Sequence, residues 1–138
     1  MNRTGALAIG VAATFATTFL WHGPGGAGER FAGTIDRTMR ATLDHYEMSA
    51  VTARLQRDPL TRRLLLGGPA DAFQRGEIAR IALEVPGLAT AHWPGPRNPP
   101  RALPLLAEVA LMALAAFAIG VVMAYIAALR RRAREAYQ

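Results

Sequence analysis

The side chains that most often carry catalysis or hold metal ions are few in this sequence. It has three histidines, His22, His45 and His92, and none has a second histidine three or four residues away, as a helical metal site would need. Ser49 is the only serine and cysteine is absent, which leaves little from which to build a serine triad or a thiolate site. The sequence therefore predicts a protein that is not an enzyme and that takes no cofactor, metal or small-molecule substrate.

Arginine is the abundant ionisable residue. The formal net charge is +6, and all 16 lysine-plus-arginine positions are arginine. Four of them directly follow a long apolar stretch, which indicates membrane topology rather than binding to nucleic acid. These four topology residues are Arg130, Arg131, Arg132 and Arg134.

A second basic group lies on a predicted hairpin and consists of Arg54, Arg57, Arg62 and Arg63. Guanidinium groups on neighbouring strands are suited to anionic lipid headgroups or to an acidic partner. An ordinary solvent-facing sheet surface explains the same residues equally well. Both interpretations of this arginine patch stay open at this point.

Two apolar segments are candidates for crossing a membrane. Val109 to Leu129 carries no charge over its whole length, which at about 1.5 Å per residue is roughly 31 Å, the thickness of a bilayer core. Gly5 to Trp21 is shorter, about 25 Å, and also has the charged start and apolar stretch of a signal peptide. Since no clean A-x-A cleavage site precedes Trp21, the first segment is predicted to remain as an anchor.

The direction of the two spans follows from the arginines. Positive charge next to a span favours the cytoplasm, which places the residues after Leu129 on that side. A second span returns the N-terminus, with Arg3, to the same side. The predicted location is the inner membrane of a bacterium, with both termini cytoplasmic and the central region periplasmic.

Small residues recur every four positions on both spans, and residues at this spacing share one face of a helix. Such faces let helix backbones approach closely in lipid. They pack either against each other or against helices of another protein, and the sequence does not choose. The predicted packing residues are Ala6, Gly10, Thr14 and Thr18 on the first span and Ala116, Gly120, Ala124 and Ala128 on the second.

Three further residues are predicted near the membrane interface. Glu108 fits a carboxylate that reaches water in the first turns of a helix, or one that contacts Arg101 or a partner's arginine. Trp21 ends the first apolar segment, and tryptophan is enriched at membrane interfaces. Glu108, Arg101 and Trp21 are therefore candidate partner or interface contacts.

The region between the spans has the pattern of a small α+β domain. Apolar residues recur at i+4 spacing from Glu29 to Tyr46, which predicts an amphipathic helix. Two alternating runs joined by a turn at Asp58-Pro59 predict two strands. A helix over 70–84 and a final strand over 88–93 complete the order αββαβ. This order predicts one sheet with two helices on one face.

These residues resemble the BON domain, a periplasmic module. The resemblance lies in Leu64-Leu65-Leu66-Gly67, a strand that ends in glycine, and in Val85-Pro86-Gly87-Leu88 before the closing strand. It covers about Glu29–Trp93, roughly half the chain, and Ala91 departs from it where valine is usual. The resemblance implies a module without catalytic residues that attaches to phospholipid or to other envelope components.

The sequence thus predicts a membrane protein in which two transmembrane helices flank a BON-like αββαβ domain. Its predicted function is that of a small, non-enzymatic accessory or scaffolding subunit of a larger inner-membrane assembly, of respiratory or photosynthetic type, that contacts membrane lipid and other integral subunits. The alternative is a stand-alone envelope-binding module whose domain contacts phospholipid, peptidoglycan or a periplasmic protein. The predicted segments are helix 1 at 1–22, a glycine-rich linker at 23–28, the domain at 29–93, a proline-rich connector at 94–103, helix 2 at 104–129 and an arginine-rich tail at 130–138.

Overall fold

A computed structural model describes residues 3–95 and 102–135. The chain divides into two compact units, one made of Met1–Pro24 with Leu106–Gln138 and the other of Gly25–Leu105. The predicted arrangement, two long apolar helices on either side of a small αββαβ region, is confirmed. The elements are α1 (Arg3–His22), α2 (Ala27–His45), β1 (Thr52–Arg57), β2 (Leu60–Gly67), α3 (Ala72–Leu83), β3 (Thr90–His92) and α4 (Leu105–Glu135).

Helices α1 and α4 are both long and apolar enough to cross a membrane. The 31 residues of α4 give a length of about 46 Å, more than the roughly 30 Å of a bilayer core. Large apolar side chains lie on its surface, with Met112 exposed by 74% and Ile119 by 65%. Soluble proteins rarely leave so much contiguous apolar surface in water, and such a surface is typical of a helix that lies in a membrane.

Helix α2 is amphipathic and ends in a Schellman motif. The Met48 N–H donates to the Leu43 carbonyl over 2.9 Å, and the Glu47 N–H donates to the Asp44 carbonyl over 3.1 Å. This closure puts Glu47 at a φ of 57°, in the left-handed region that glycine occupies without a steric penalty. The buried residues of α2 are Gly28, Ala32, Ile35, Met39 and Leu43.

The sheet has the strand order β1-β2-β3, with β1 antiparallel and β3 parallel to the central strand β2. Leu55 pairs with Leu64 in the hairpin, and both side chains are buried against the helices. Arg54 precedes Leu55 and is exposed, because successive side chains of a strand point to opposite faces. The hairpin turn contains a cis peptide bond between Asp58 and Pro59.

Helix α3 begins with a capping box. The Asp71 carboxylate accepts the Gln74 N–H over 2.8 Å, and the Gln74 side chain accepts the Asp71 N–H over 3.0 Å. The Trp93 indole N–H donates to the Arg75 carbonyl over 3.1 Å, and the Arg75 guanidinium lies 5.4 Å from the centre of the Trp93 ring. These two contacts hold the chain after β3 against α3.

The core lies between one face of the sheet and helices α2 and α3, as predicted. Met39 and Leu64 are completely enclosed in it. Phe73 is a large apolar residue, which favours a core position on α3, but its side chain is 78% exposed. The buried face of α3 is set by Ile78 and Ala82, and a residue five positions before Ile78 points well away from that face.

Several element ends differ from the predicted ones. Helix α2 begins at Ala27, which makes the linker shorter than the predicted 23–28. Pro104 precedes α4 and forms an isolated antiparallel bridge with Thr61. Helix α4 continues to Glu135, so the described part of the predicted tail is helical, in line with the good helix propensity of arginine. Most of the predicted connector at 94–103 lies outside the described residues.

Candidate functional site

The histidines lie on separate elements. His22 ends α1, His92 lies in β3, and the His45 ring contacts Tyr46 edge-on at the end of α2 with 5.2 Å between the ring centres. Within residues 3–95 and 102–135, no three His, Cys, Asp or Glu side chains are close enough to hold a metal ion. The candidates that the sequence predicts are surfaces: the faces of α1 and α4, and the arginines of the hairpin.

Helices α1 and α4 contact each other where Gly10 meets Phe117. A Cβ atom added at Gly10 would lie 2.6 Å from Cζ and 2.7 Å from Cε2 of the Phe117 ring. Real Cβ atoms do not approach other atoms so closely, so the ring occupies the space that a side chain at Gly10 would need. Gly10 belongs to the predicted packing face of α1. At Gly10, this face contacts α4.

The polar members of the α1 face satisfy their hydroxyl groups within the helix. Thr14 donates its hydroxyl hydrogen to the Gly10 carbonyl over 2.9 Å, and Thr18 donates to the Thr14 carbonyl over 2.8 Å. These bonds lower the cost of placing a hydroxyl in apolar surroundings. Thr18 is buried and Thr14 is half-buried, whereas Ala6 is exposed.

The predicted packing face of α4 is exposed along its whole length. A Cβ atom added at Gly120 would meet no atom within 4 Å. The half-buried positions in the middle of α4 are instead Ala113, Leu114 and Phe117. Packing of the exposed face against another protein stays a prediction. The exposed face consists of Ala116, Gly120, Ala124 and Ala128.

The predicted interface contacts lie at the ends of the apolar helices. Glu108 is half-buried in the first turn of α4, where a carboxylate interacts favourably with the positive end of the helix dipole. Trp21 lies near the end of α1 with 63% of its surface exposed. Arg101 lies outside the described residues. A contact of any of the three with a partner stays a prediction.

The hairpin arginines do not form one free basic patch. Arg57 donates from Nη1 to Glu29 over 2.6 Å and from Nη2 to Asp36 over 3.0 Å. The hydrogen bond that Arg57 donates to Asp36, and then the negative charge of Glu29, raise the pKa of Arg57 above its ordinary value. Two carboxylates thus already balance this guanidinium, and they join the end of β1 to α2.

The other hairpin arginines point in different directions. Arg54 is exposed on the sheet face away from the helices. Arg62 donates from Nε to the Gly87 carbonyl over 2.8 Å and so holds the turn before β3. Arg63 is almost fully buried, with 7% of its surface exposed. Of the four arginines, Arg54 and Arg57 have exposed positions, and a contact of the predicted patch with an anionic partner stays a prediction.

No protein-family model, curated protein or solved structure matches this chain. The order αββαβ is the one that the BON resemblance implies, but an element order by itself does not identify a family. The resemblance therefore stays a hypothesis about residues 29–93.

Sequence reasoning missed two residues that organise these surfaces. Phe117 was not assigned to a packing face, because one aromatic in an alanine-rich helix gives no periodic signal. Asp36 lies on the polar face of the predicted helix, where a solvated carboxylate is the usual expectation, yet its Oδ1 accepts the Leu55 N–H over 2.9 Å. Because β1 is an edge strand, this bond satisfies a backbone donor that no neighbouring strand takes. The one sequence signal for this role of Asp36 is that it directly follows Ile35, a residue of the apolar stripe of α2.

Proposed function

We propose that this chain is a two-span membrane protein that serves as a small, non-enzymatic accessory subunit of a larger inner-membrane assembly. The observation that carries the proposal is the exposed small-residue face of α4, which α1 leaves uncovered. In lipid, helices gain little from apolar contact alone, so a face of small residues has its value in close packing against a partner helix.

The same proposal gives the two units different roles. Helices α1 and α4 insert into the bilayer, with α1 fixed on α4 through Gly10 and Phe117. The arginines after Leu129 favour a cytoplasmic C-terminus, which leaves the αββαβ unit outside the cytoplasm, in the periplasm of a Gram-negative bacterium. There the unit braces neighbouring subunits. The proposed assembly is a complex of respiratory or photosynthetic type.

A stand-alone envelope-binding module is the second candidate. It is favoured by the αββαβ order and by the turn Val85-Pro86-Gly87, which resemble a BON domain and so suggest attachment to phospholipid, peptidoglycan or a periplasmic protein. Gly87 has a φ of 103°, and a Cβ atom there would lie 2.7 Å from Cε2 of Phe31. Local packing is therefore sufficient to explain the glycine at this position, so Gly87 gives little support to the BON resemblance.

The test is native electrophoresis of gently solubilised membranes, with co-migrating chains identified by mass spectrometry. An accessory subunit is expected in one large band of fixed composition. The variant Gly120→Leu adds bulk to the exposed α4 face, where nothing lies within 4 Å, and should release the chain from that band without disturbing α1.

The matched control is Ala115→Leu, which adds similar bulk at an exposed position on the other side of α4, about 140° around the helix from Gly120. It should leave the band intact. Migration of the wild-type chain alone, or as a small homo-oligomer, would refute the subunit proposal and leave the envelope-binding module standing.

A further inference from the structure

A notch in the side-chain surface of α4 lies where its apolar segment ends. It is an open notch of about 280 Å³, lined by Tyr125, Ala128, Leu129 and Arg132. The four residues share one side of the helix, because they are three, four and seven positions apart. Ala128 has the smallest of these side chains, so it leaves the space between Tyr125 and Arg132 open.

The depth of the notch relative to the apolar segment is fixed by helix geometry. Arg132 comes three residues after Leu129, which is about 4.5 Å along the axis. With the apolar stretch of α4 in the bilayer core, that step brings the guanidinium to headgroup level. Tyr125 comes seven residues before Arg132, about 10.5 Å deeper along the axis, so its apolar ring lies beside the upper acyl chains while the guanidinium lies among the headgroups.

The charge around the notch is unbalanced. Arg130, Arg131, Arg132 and Arg134 are exposed, and among the residues that the structure describes none of the four has an ion-pair partner. Guanidinium groups bind phosphate through two parallel hydrogen bonds. A ligand for this place must therefore combine an anionic phosphate with apolar atoms that fit beside Tyr125.

We propose that the notch is a binding site for an anionic phospholipid. Arg132 holds the phosphate, the Tyr125 ring packs against the glycerol and the upper acyl chain, and Ala128 supplies the room. The other three arginines attract anionic headgroups without contacting this lipid. The inference rests on the proposed membrane insertion of α4 and adds a lipid class and a site to it. It assigns Ala128, the last residue of the exposed small-residue face, to the lipid, and leaves Ala116, Gly120 and Ala124 to the partner helix.

The experiment uses the full chain reconstituted into vesicles of phosphatidylcholine and phosphatidylglycerol in equal amounts. Resistance to carbonate extraction verifies insertion, and native mass spectrometry from mild detergent then counts the lipids that each chain retains. We expect the wild-type chain to retain phosphatidylglycerol about tenfold over phosphatidylcholine, as for a charge-assisted hydrogen bond in a partly enclosed site.

Two pairs of variants separate the notch from general electrostatic attraction. Ala128→Leu fills the notch and keeps every charge, whereas Ala127→Leu adds the same bulk next to it. Arg132→Gln removes the phosphate contact, whereas Arg131→Gln removes an equal charge outside the notch. The retention ratio should fall about fivefold or more for the first member of each pair and less than about twofold for its control.

Equal retention of the two lipids, or equal effects within each pair, would overturn the lipid site while leaving insertion intact. A chain that carbonate extracts would overturn the proposed membrane insertion, and the lipid site with it. A wild-type dimer that Ala128→Leu dissociates would assign the notch to a helix contact and refute the lipid proposal.

Discussion

The two compact units of this chain place their apolar side chains in opposite ways. In the αββαβ unit, apolar residues lie between the sheet and two helices, and Met39 and Leu64 are completely enclosed. On α4, Met112 and Tyr125 expose 74% and 64% of their surface. The first unit has its own apolar interior, whereas the second has the exposed apolar surface that is typical of membrane helices.

The comparison shows how the environment of a helix can be inferred from the spacing of its apolar residues. Helix α2 has an apolar stripe and a charged face, because one side meets a core and the other meets water. Between Val109 and Leu129, α4 has no charged face at all. The hydroxyl groups of Thr14 and Thr18 on α1 donate to the backbone of the same helix, an arrangement that suits a segment in lipid.

The largest expected effect is on the free energy of unfolding, and it comes from truncating an enclosed methionine rather than an exposed one. Met39→Ala leaves a cavity and should lower the free energy of unfolding of the αββαβ unit by about 2–5 kcal/mol. Met112→Ala should leave it unchanged. The measurement is urea unfolding of the full chain in detergent, followed by Trp93 fluorescence in a Trp21→Phe background. Equal losses for the two variants would abolish the proposed contrast between the units.

The next effect tests the contact within the helical unit. Gly10→Leu inserts a side chain where the Phe117 ring already lies within 2.6 Å of an added Cβ, and such overpacking costs about 1–3 kcal/mol. A photoreactive phenylalanine derivative at position 117 should form cross-links to α1 in the parent chain. Gly10→Leu should reduce their yield severalfold, while Gly120→Leu should not. Undiminished cross-linking in Gly10→Leu would show that the two helices do not meet at Gly10.

A smaller effect concerns the carboxylates that hold β1. Asp36→Ala leaves the Leu55 N–H without its acceptor and removes one partner of Arg57, and it should destabilise the αββαβ unit by about 1–2 kcal/mol. Glu29→Ala removes only an exposed ion pair, so its effect should be smaller and should vanish in about 1 M salt. Urea unfolding at low and high salt measures both. A larger loss for Glu29→Ala would mean that the ion pair, not the edge-strand hydrogen bond, secures β1.

The smallest effect is a gain in stability at the end of α2. Glu47 has a φ of 57°, a conformation that costs a residue with a Cβ about 1–2 kcal/mol. Glu47→Gly removes this cost but loses some chain entropy, so we expect a net stabilisation of about 0.5–1 kcal/mol. Glu47→Ala keeps the Cβ and should give no such gain. If alanine stabilises as much as glycine, the effect comes from the lost charge and not from the backbone.

Local patterns were sufficient to predict the element order of the chain. The i+4 repeat of α2, the alternation in β1 and β2 and the uncharged stretch of α4 each reflect one periodic environment, so a single sequence reveals them. Helix ends were less accurate, because arginine continues a helix as well as it would begin a tail, and α4 accordingly reaches Glu135. Phe73 shows the same limit, since its type did not reveal that it is 78% exposed.

The sequence by itself determined that the chain has two apolar helices around one small α+β unit, because hydrophobic periodicity is a local property. Only the tertiary structure decided which groups meet. It placed Phe117 on Gly10, gave Asp36 the Leu55 N–H, and divided the hairpin arginines between an ion-pair network, a loop carbonyl and a buried position. These contacts join residues distant in the chain, and their geometry depends on how whole elements pack, which no local pattern encodes.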